Sequence, residues 1–319
     1  MIYKRILLLM CVFALICTLP SCAGLAGQKE GEQEPMRLLI IGNSHSIDAF
    51  YLLQKAFQDQ MPEQELVLGV VYYGGCSISL HVMFAQHEKD AYTYLRNTDG
   101  QWENLENRTL KSIIEDQPWD MVMFQAAKTD MDDTLNEPGR RELEGFVEQY
   151  LQKPCRYWWH TSWPSPNDEI FFSPAYVSQA PEGYKENLME LYGFDPVNQF
   201  AVLTDVAKTH ILTDDHYAGA VCTGAAIMYA HTVLGVDQLE LWRDYTHLSD
   251  LGRLTVAYSM YAQLTGNPIQ QVGIDTIPVE FRAFQYQYLG DMAVTEQMKD
   301  IVRQAANHSL EDPWNVPTK

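Results

Sequence analysis

The chain has 319 residues, 46% of them hydrophobic, and sets 22 Lys and Arg against 42 Asp and Glu for a formal net charge of −20. So acidic a balance argues against nucleic acid, other polyanions and anionic membrane surfaces as partners, and is silent on neutral sugars and small esters. Once a leader and tether are set aside, the length suits one sizeable α/β domain and is short for two.

In Met1 to Ser21, basic Lys4 and Arg5 precede an apolar stretch from Ile6 to Leu19. That stretch is too short for a comfortable membrane crossing and reads as an export signal, with Cys22 where such a signal would be cut. The segment resembles a bacterial lipoprotein signal with its lipobox. This implies cleavage before Cys22, a lipid on its thiol and a protein exported to the cell envelope, in contact with membrane through that anchor alone. An ordinary secretory signal with an incidental cysteine is the other reading. Residues 22–35 then read as a flexible tether, small and acidic with no apolar periodicity. Without the leader the balance is 20 basic against 42 acidic residues, or −22. Beyond Cys22 only Cys76, Cys155 and Cys222 remain, too few and too widely spaced to indicate a disulfide framework or a zinc knuckle.

The folded domain is expected over residues 36–270. Leu38 to Ile41 is a short apolar run that stops at Gly42-Asn43, the mark of a strand buried on both faces of a parallel sheet. Helical spacing follows at Ile47, Phe50, Tyr51, Leu53 and Phe57, so Ser44 lies between strand and helix, at the rim where open α/β sheets bind ligands. Ser44 is the candidate nucleophile; a capping serine in a turn is the bland alternative. Glu65 to Tyr73 is the second strand and ends in Gly74-Gly75, where a backbone N–H could face the nucleophile or a tight turn could need positive φ. Leu80 to Tyr94 is expected as helix, Asn97 to Asn107 as a loop or small hairpin, and Leu110 to Ile114 as a short helix. Trp119 to Phe124 is the third strand, presenting Gln125 on the Ser44 rim as an oxyanion donor or as a tie to its own loop.

After an amphipathic helix at Leu143 to Leu151, Arg156 to Trp163 is the fourth strand. Trp158 and Trp159 read as core, whereas His160 and Trp163 fall at the rim and are expected to line a sugar-binding pocket. Phe171 to Gly183 is long enough for a lid. Asp195-Pro196 opens a helix to about Leu212, with His210, Asp214, Asp215 and His216 at its end as a solvated cluster rather than a metal site. Ala218 to Cys222 is the fifth strand and Ala225 to Val233 a helix. In Arg243 to Arg253, Asp244 and His247 are three residues apart, so the carboxylate can orient the imidazole and stabilise its cation; a surface turn with a capping acid is the alternative. Ser249 caps a final helix that Gly266-Asn267-Pro268 stops. Residues 271–319 form a C-terminal extension with no legible role.

Gly42-Asn43-Ser44, Gly74-Gly75, Gln125 and Asp244-x-x-His247, in that order at strand ends, resemble the SGNH (GDSL-like) hydrolase superfamily, in particular a branch of secreted bacterial proteins. The resemblance covers about Met36 to Pro268 and implies a flavodoxin-like three-layer α/β/α sandwich, in agreement with the five parallel strands read above. It implies Ser44 as nucleophile, His247 as base, Asp244 as its orienter, and the Ser44 N–H, the Gly75 N–H and the Gln125 amide as oxyanion hole. Gln125 stands where many members carry Gly-x-Asn-Asp. The expected activity is a serine esterase without cofactor or metal, acting on acetyl or other short acyl esters of carbohydrate. A lipase or acyltransferase with the same triad, a glycan-binding lipoprotein with an inactive triad and a two-metal phosphoesterase are the alternatives.

Overall fold

Alternation defines the central strand. In β1 (Met36–Gly42), Leu38 and Ile40 face one apolar layer and Leu39 and Ile41 the other, all four buried, as a period-two strand between two helical layers requires. The computed structural model describes residues 34–126, 137–167 and 193–318, with residues 183, 186 and 190. The expected leader, most of the tether with Cys22, residues 127–136 and all of the expected lid except Gly183 lie outside the described residues.

From β1 the chain enters α1 (Ser44–Phe50) and α2 (Leu53–Gln60), then β2 (Leu66–Tyr72) and α3 (Ile78–Gln86). It continues through β3 (Tyr92–Asn97), β4 (Trp102–Arg108), α4 (Leu110–Ile114), β5 (Met121–Phe124), α5 (Glu137–Tyr150) and β6 (Arg156–Thr161). The later elements are α6 (Pro196–His210), β7 (Tyr217–Cys222), α7 (Gly224–Thr232), α8 (Gln238–Leu241) and α9 (Asp250–Thr265). A short pair, β8 (Thr276–Ile277) and β9 (Met292–Ala293), and a last helix, α10 (Glu296–Glu311), complete it.

The large sheet has seven strands in the order β4-β3-β2-β1-β5-β6-β7. The five expected strands are its parallel part, running β2-β1-β5-β6-β7. That is the flavodoxin-like doubly wound order, whose switch point lies beside the first strand and opens a crevice at the carboxyl ends. Ser44 lies there, separated from the last residue of β1 by Asn43. The two further strands are an antiparallel hairpin on the β2 edge. Here the expected helix through Tyr94 stops at Gln86: Glu88 turns at φ 45°, and buried Tyr92 and Tyr94 then alternate in a strand. Strand β4, at the open edge, keeps most of its side chains in solvent, and the β3–β4 register slips between Tyr92 and Tyr94. At the opposite edge, the side-chain amide of Gln263 accepts from the Cys222 N–H at 2.8 Å and donates to the Cys222 carbonyl at 3.2 Å, as a neighbouring strand would.

One helical layer packs α1, α2, α7, α9 and α10 on Leu38 and Ile40; α3, α4 and α5 pack on Leu39 and Ile41. The expected capping residues hold: Asp195 caps α6 with Pro196 in its first turn, Ser249 caps α9, and Gly266 ends α9 at φ 72°. The chain beyond Gln270 belongs to the same compact unit. Helix α10 buries Ile301, Val302, Ala305 and Ala306 in the core that α9 shares, one amphipathic face closing the layer. Cys76, Cys155 and Cys222 are all free thiols. Among the described residues no helix is long and apolar enough to cross a membrane.

Candidate active site

The turn after β1 is built so that only glycine fits at its first position. A Cβ on Gly42 would stand 2.3 Å from Ser46 Oγ and 2.6 Å from Gln125 Oε1. Asn43 then caps α1, its side chain accepting from the His45 N–H at 3.1 Å and donating to the Cys76 carbonyl at 3.2 Å. The latter bond draws the Gly74-Gly75-Cys76 turn against the turn that carries Ser44. Ser44 is the first residue of α1, and among the described residues its N–H has no hydrogen-bond partner, as expected of a first-turn amide. The Gly75 N–H is likewise unpartnered among the described residues, and Gly75 is exposed at φ 63° with open space around its α-carbon.

The second half of the site is the loop between α8 and α9. Trp242 bridges to Leu248, and the Arg243 N–H donates to the His247 carbonyl at 2.9 Å, closing a tight excursion. Inside it Asp244 Oδ1 accepts from the backbone N–H of Thr246 at 2.9 Å and of His247 at 2.7 Å, an Asx turn that presets the carboxylate. His247 Nδ1 lies 2.9 Å from Asp244 Oδ2, and His247 Nε2 lies 2.8 Å from Ser44 Oγ. Burial pushes the Asp244 carboxyl up, but the hydrogen bonds from His247 and Thr246 outweigh it and hold the group down at about 2. The carboxylate therefore stays ionised beside the imidazole. Serine, imidazole and carboxylate form a contiguous relay able to remove the serine proton and stabilise the resulting cation.

Gln125 ties the end of β5 to the Ser44 turn. Its Oε1 accepts from the Asn43 N–H at 3.1 Å and from Ser46 Oγ at 2.9 Å, and its Nε2 donates to the Ala126 carbonyl. The oxygen and one N–H of the amide fasten β5 to the Ser44 turn and to its own loop, and the amide is buried at 2% exposure. The tie between strand end and loop is therefore present in the structure.

His160 and Trp163 are corrected. Both are buried, at 1% and 0% exposure, rather than open to solvent at the rim. His160 Nε2 lies 2.8 Å from Thr223 Oγ1, and burial pushes its imidazole down to about 3, so it is neutral. Trp163 donates its indole N–H to the Thr246 carbonyl at 2.9 Å and stacks on His45 at 4.8 Å between centroids. Strand periodicity assigned these residues to the rim but not their direction, and both turn into the packing behind it.

His45 was missed. Its ring is buried, with Nδ1 3.1 Å from Ser162 Oγ and Nε2 2.9 Å from Thr246 Oγ1, and it meets His247 edge-on at 6.0 Å. It thus links the helix that carries Ser44, the end of β6 and the His247 loop. A histidine directly after the candidate nucleophile was the available signal. Asp48 and Arg243 were missed as well: Asp48, one turn beyond Ser44, holds Arg243 at 2.9 Å and the Leu248 N–H at 3.0 Å. Of the acids expected after α6, Asp214 pairs with Arg140 at 3.0 Å and with Arg141 while Asp215 is exposed, and no cluster able to hold a metal occurs among the described residues.

Over residues 37–287 the chain matches the family described as a domain of unknown function, DUF4886. No curated protein matches the chain. Among solved structures it is similar to a DUF4886 family protein from Bacteroides uniformis ATCC 8492, at 20% identity and a TM-score of 0.68 over 89% of this chain and 98% of that one. It has a remoter likeness to an acetylxylan esterase from Geobacillus stearothermophilus, solved as a catalytic mutant, at 14% identity and a TM-score of 0.39 over 71% of this chain and 93% of that one. The first of these likenesses shows the fold.

Proposed function

We propose that this chain, which belongs to the DUF4886 family, is a serine esterase of SGNH type that removes acetyl or other short acyl groups from carbohydrate. The observation that carries the reading is the unbroken contact from Ser44 Oγ through both nitrogens of His247 to Asp244. His247 Nε2 takes the Ser44 proton as Oγ bonds to the ester carbonyl carbon, and Asp244 stabilises the imidazolium so formed. The carbonyl oxygen becomes an anion that the backbone amides of Ser44 and Gly75, unpartnered among the described residues, can receive. Collapse of this intermediate breaks the bond to the sugar oxygen, which leaves with the proton from His247. Water, deprotonated by the same imidazole, then attacks the acyl-serine, and collapse frees the carboxylic acid as His247 returns the proton to Ser44 Oγ.

Two features support a carbohydrate ester over an anionic lipid. The chain is strongly acidic, and Tyr73, next to the Gly74-Gly75 turn, leaves 38% of its surface in solvent, a ring of the kind sugars stack on. We read the leader as a lipoprotein signal, so the mature chain should partition into detergent and lose that behaviour in Cys22→Ala.

The test is acetate release from a panel of acetylated polysaccharides, with Ser44→Ala and chelator in parallel. Release from a polysaccharide that survives chelator and vanishes in Ser44→Ala supports the whole reading. Hydrolysis of aryl acetate alone retains the esterase and rejects the carbohydrate. A preference that rises with acyl length turns it into a lipase, and inertness toward every ester overturns it.

A further inference from the structure

Behind the Ser44–His247 contact, five side chains alternate in charge across four parts of the chain. Arg243 Nη1, in the His247 loop, lies 2.9 Å from both carboxylate oxygens of Asp48 on α1. Asp48 Oδ1 lies 3.5 Å from Arg253 Nε on α9, and Arg253 Nη1 lies 3.5 Å from Asp250 Oδ1 in the first turn of the same helix. Asp250 Oδ2 accepts from Arg282 Nε, in the segment after α9, at 2.8 Å. No member is more than 11% exposed.

The series is fastened to backbone along its length. Asp48 Oδ2 accepts from the Leu248 N–H at 3.0 Å. Arg253 donates to the Phe281 carbonyl at 3.0 Å, Asp250 accepts from the Ala283 N–H at 2.6 Å, and Arg282 donates to the Gly290 carbonyl at 2.7 Å. A buried charge that loses one partner is left uncompensated, so each member restricts where its neighbours can stand. Asp48 has a special position in the series. Its backbone is the helix that presents Ser44, and its carboxylate grips the loop that presents His247.

We infer that Asp48 and Arg243 are positioning residues that set the distance between Ser44 and His247, and that the segment after α9, through Arg282, completes their support. The inference rests on the esterase reading of the Ser44–His247 pair and gives the C-terminal extension a role in it. A relay that moves one proton tolerates little displacement, and a shift of about 1 Å at reacting groups can cost about a hundredfold in rate.

The experiment uses the full chain and three readouts: kcat and KM on an aryl acetate, thermal melting, and the proton resonance of the His247 Nδ1–H, assigned by its loss in His247→Gln. Asp48→Asn is expected to lower kcat about a hundredfold with KM within about twofold, and Arg282→Gln about tenfold. In both, the His247 resonance should broaden or shift while the protein remains folded at the assay temperature. Arg243→Lys, which keeps the charge and loses the fork, should recover part of what Arg243→Gln loses. Arg303→Gln, which breaks the exposed pair with Asp300, is the control and should change nothing. Wild-type kcat and an unmoved resonance in Asp48→Asn and Arg282→Gln would overturn the inference, as would a loss of rate matched by the loss of folded protein. Should Asp48→Asn fail to fold, Arg243→Lys and Arg282→Lys decide by the same readouts. If the wild-type chain hydrolyses no ester, the esterase reading fails by itself, and the resonance still shows whether these residues hold His247.

Discussion

At the end of β1 stand Ser44 and His45, and at the end of β6 stand His160, Ser162 and Trp163: the same kinds of side chain at the same rim of one sheet. After β1 the chain breaks into the first turn of a helix, and Ser44 is left with an amide unpartnered among the described residues and a hydroxyl 2.8 Å from His247. After β6 the chain stays within the packing. His160 is sealed against Thr223, Ser162 against His45, and Trp163 under the Thr246 carbonyl. A reactive group needs a place at the rim and also an element that ends there, so that its polar atoms are not consumed by neighbours. The β1 end meets both conditions and the β6 end only the first, which makes it a wall for the other.

The contrast is broken most severely at Ser44. Ser44→Ala or His247→Gln should lower kcat on an aryl acetate by about 10⁴-fold or more with melting unchanged, and steady-state kinetics on the purified variants would check it. Asp244→Asn should cost about 10²- to 10⁴-fold, since the imidazole loses both its orienter and the charge that stabilises its cation. On the β6 side the loss should appear in stability instead. Trp163→Ala should cost about 3–5 kcal/mol in urea unfolding, through a cavity and an unpaired Thr246 carbonyl.

The smallest expected effect concerns acid. Burial pushes His160 down to about 3 and His81, which meets Tyr92 OH at 2.8 Å, down to about 4. Below the ordinary histidine value of about 6.5 the unfolded chain takes up protons that the folded chain refuses. The stability these groups confer is therefore complete above that value and falls as pH drops through it, by about 2 kcal/mol per group at pH 5. Asp244 acts in a lower window, its contribution lasting down to about pH 4 and fading as pH falls through its folded value of about 2. Urea midpoints measured between pH 7 and 5 should fall, and His160→Asn should flatten that slope.

Much of this was legible in the chain itself. The five parallel strands stood out as apolar runs ending in turns, and Asp244, His247 and Ser44 announced themselves by residue type and position. Three things were hidden, each for a physical reason. The Gln125 amide has two ends, and sequence does not say which neighbours occupy them; here Asn43 and Ser46 take one and Ala126 the other. Period-two reasoning locates His160 and Trp163 near a strand end but cannot say whether the last residues face a crevice or a layer. The roles of Asp48 and Arg282 depend on contacts spanning 195 and 32 residues, to Arg243 and Asp250, which no local pattern encodes.

The two edges of the large sheet bear on how copies of the chain meet. A free strand edge is a template for another strand, and proteins blunt it with charge, irregular register or a covering group. Here one edge, β4, carries exposed Glu103, Glu106 and Arg108 and a register slip against its neighbour. At the other, the Gln263 amide occupies both backbone groups of Cys222. Sheet-to-sheet joining would have to bury charged side chains at one edge or evict a satisfied amide at the other. At high local density that protection guards the chain against runaway strand pairing.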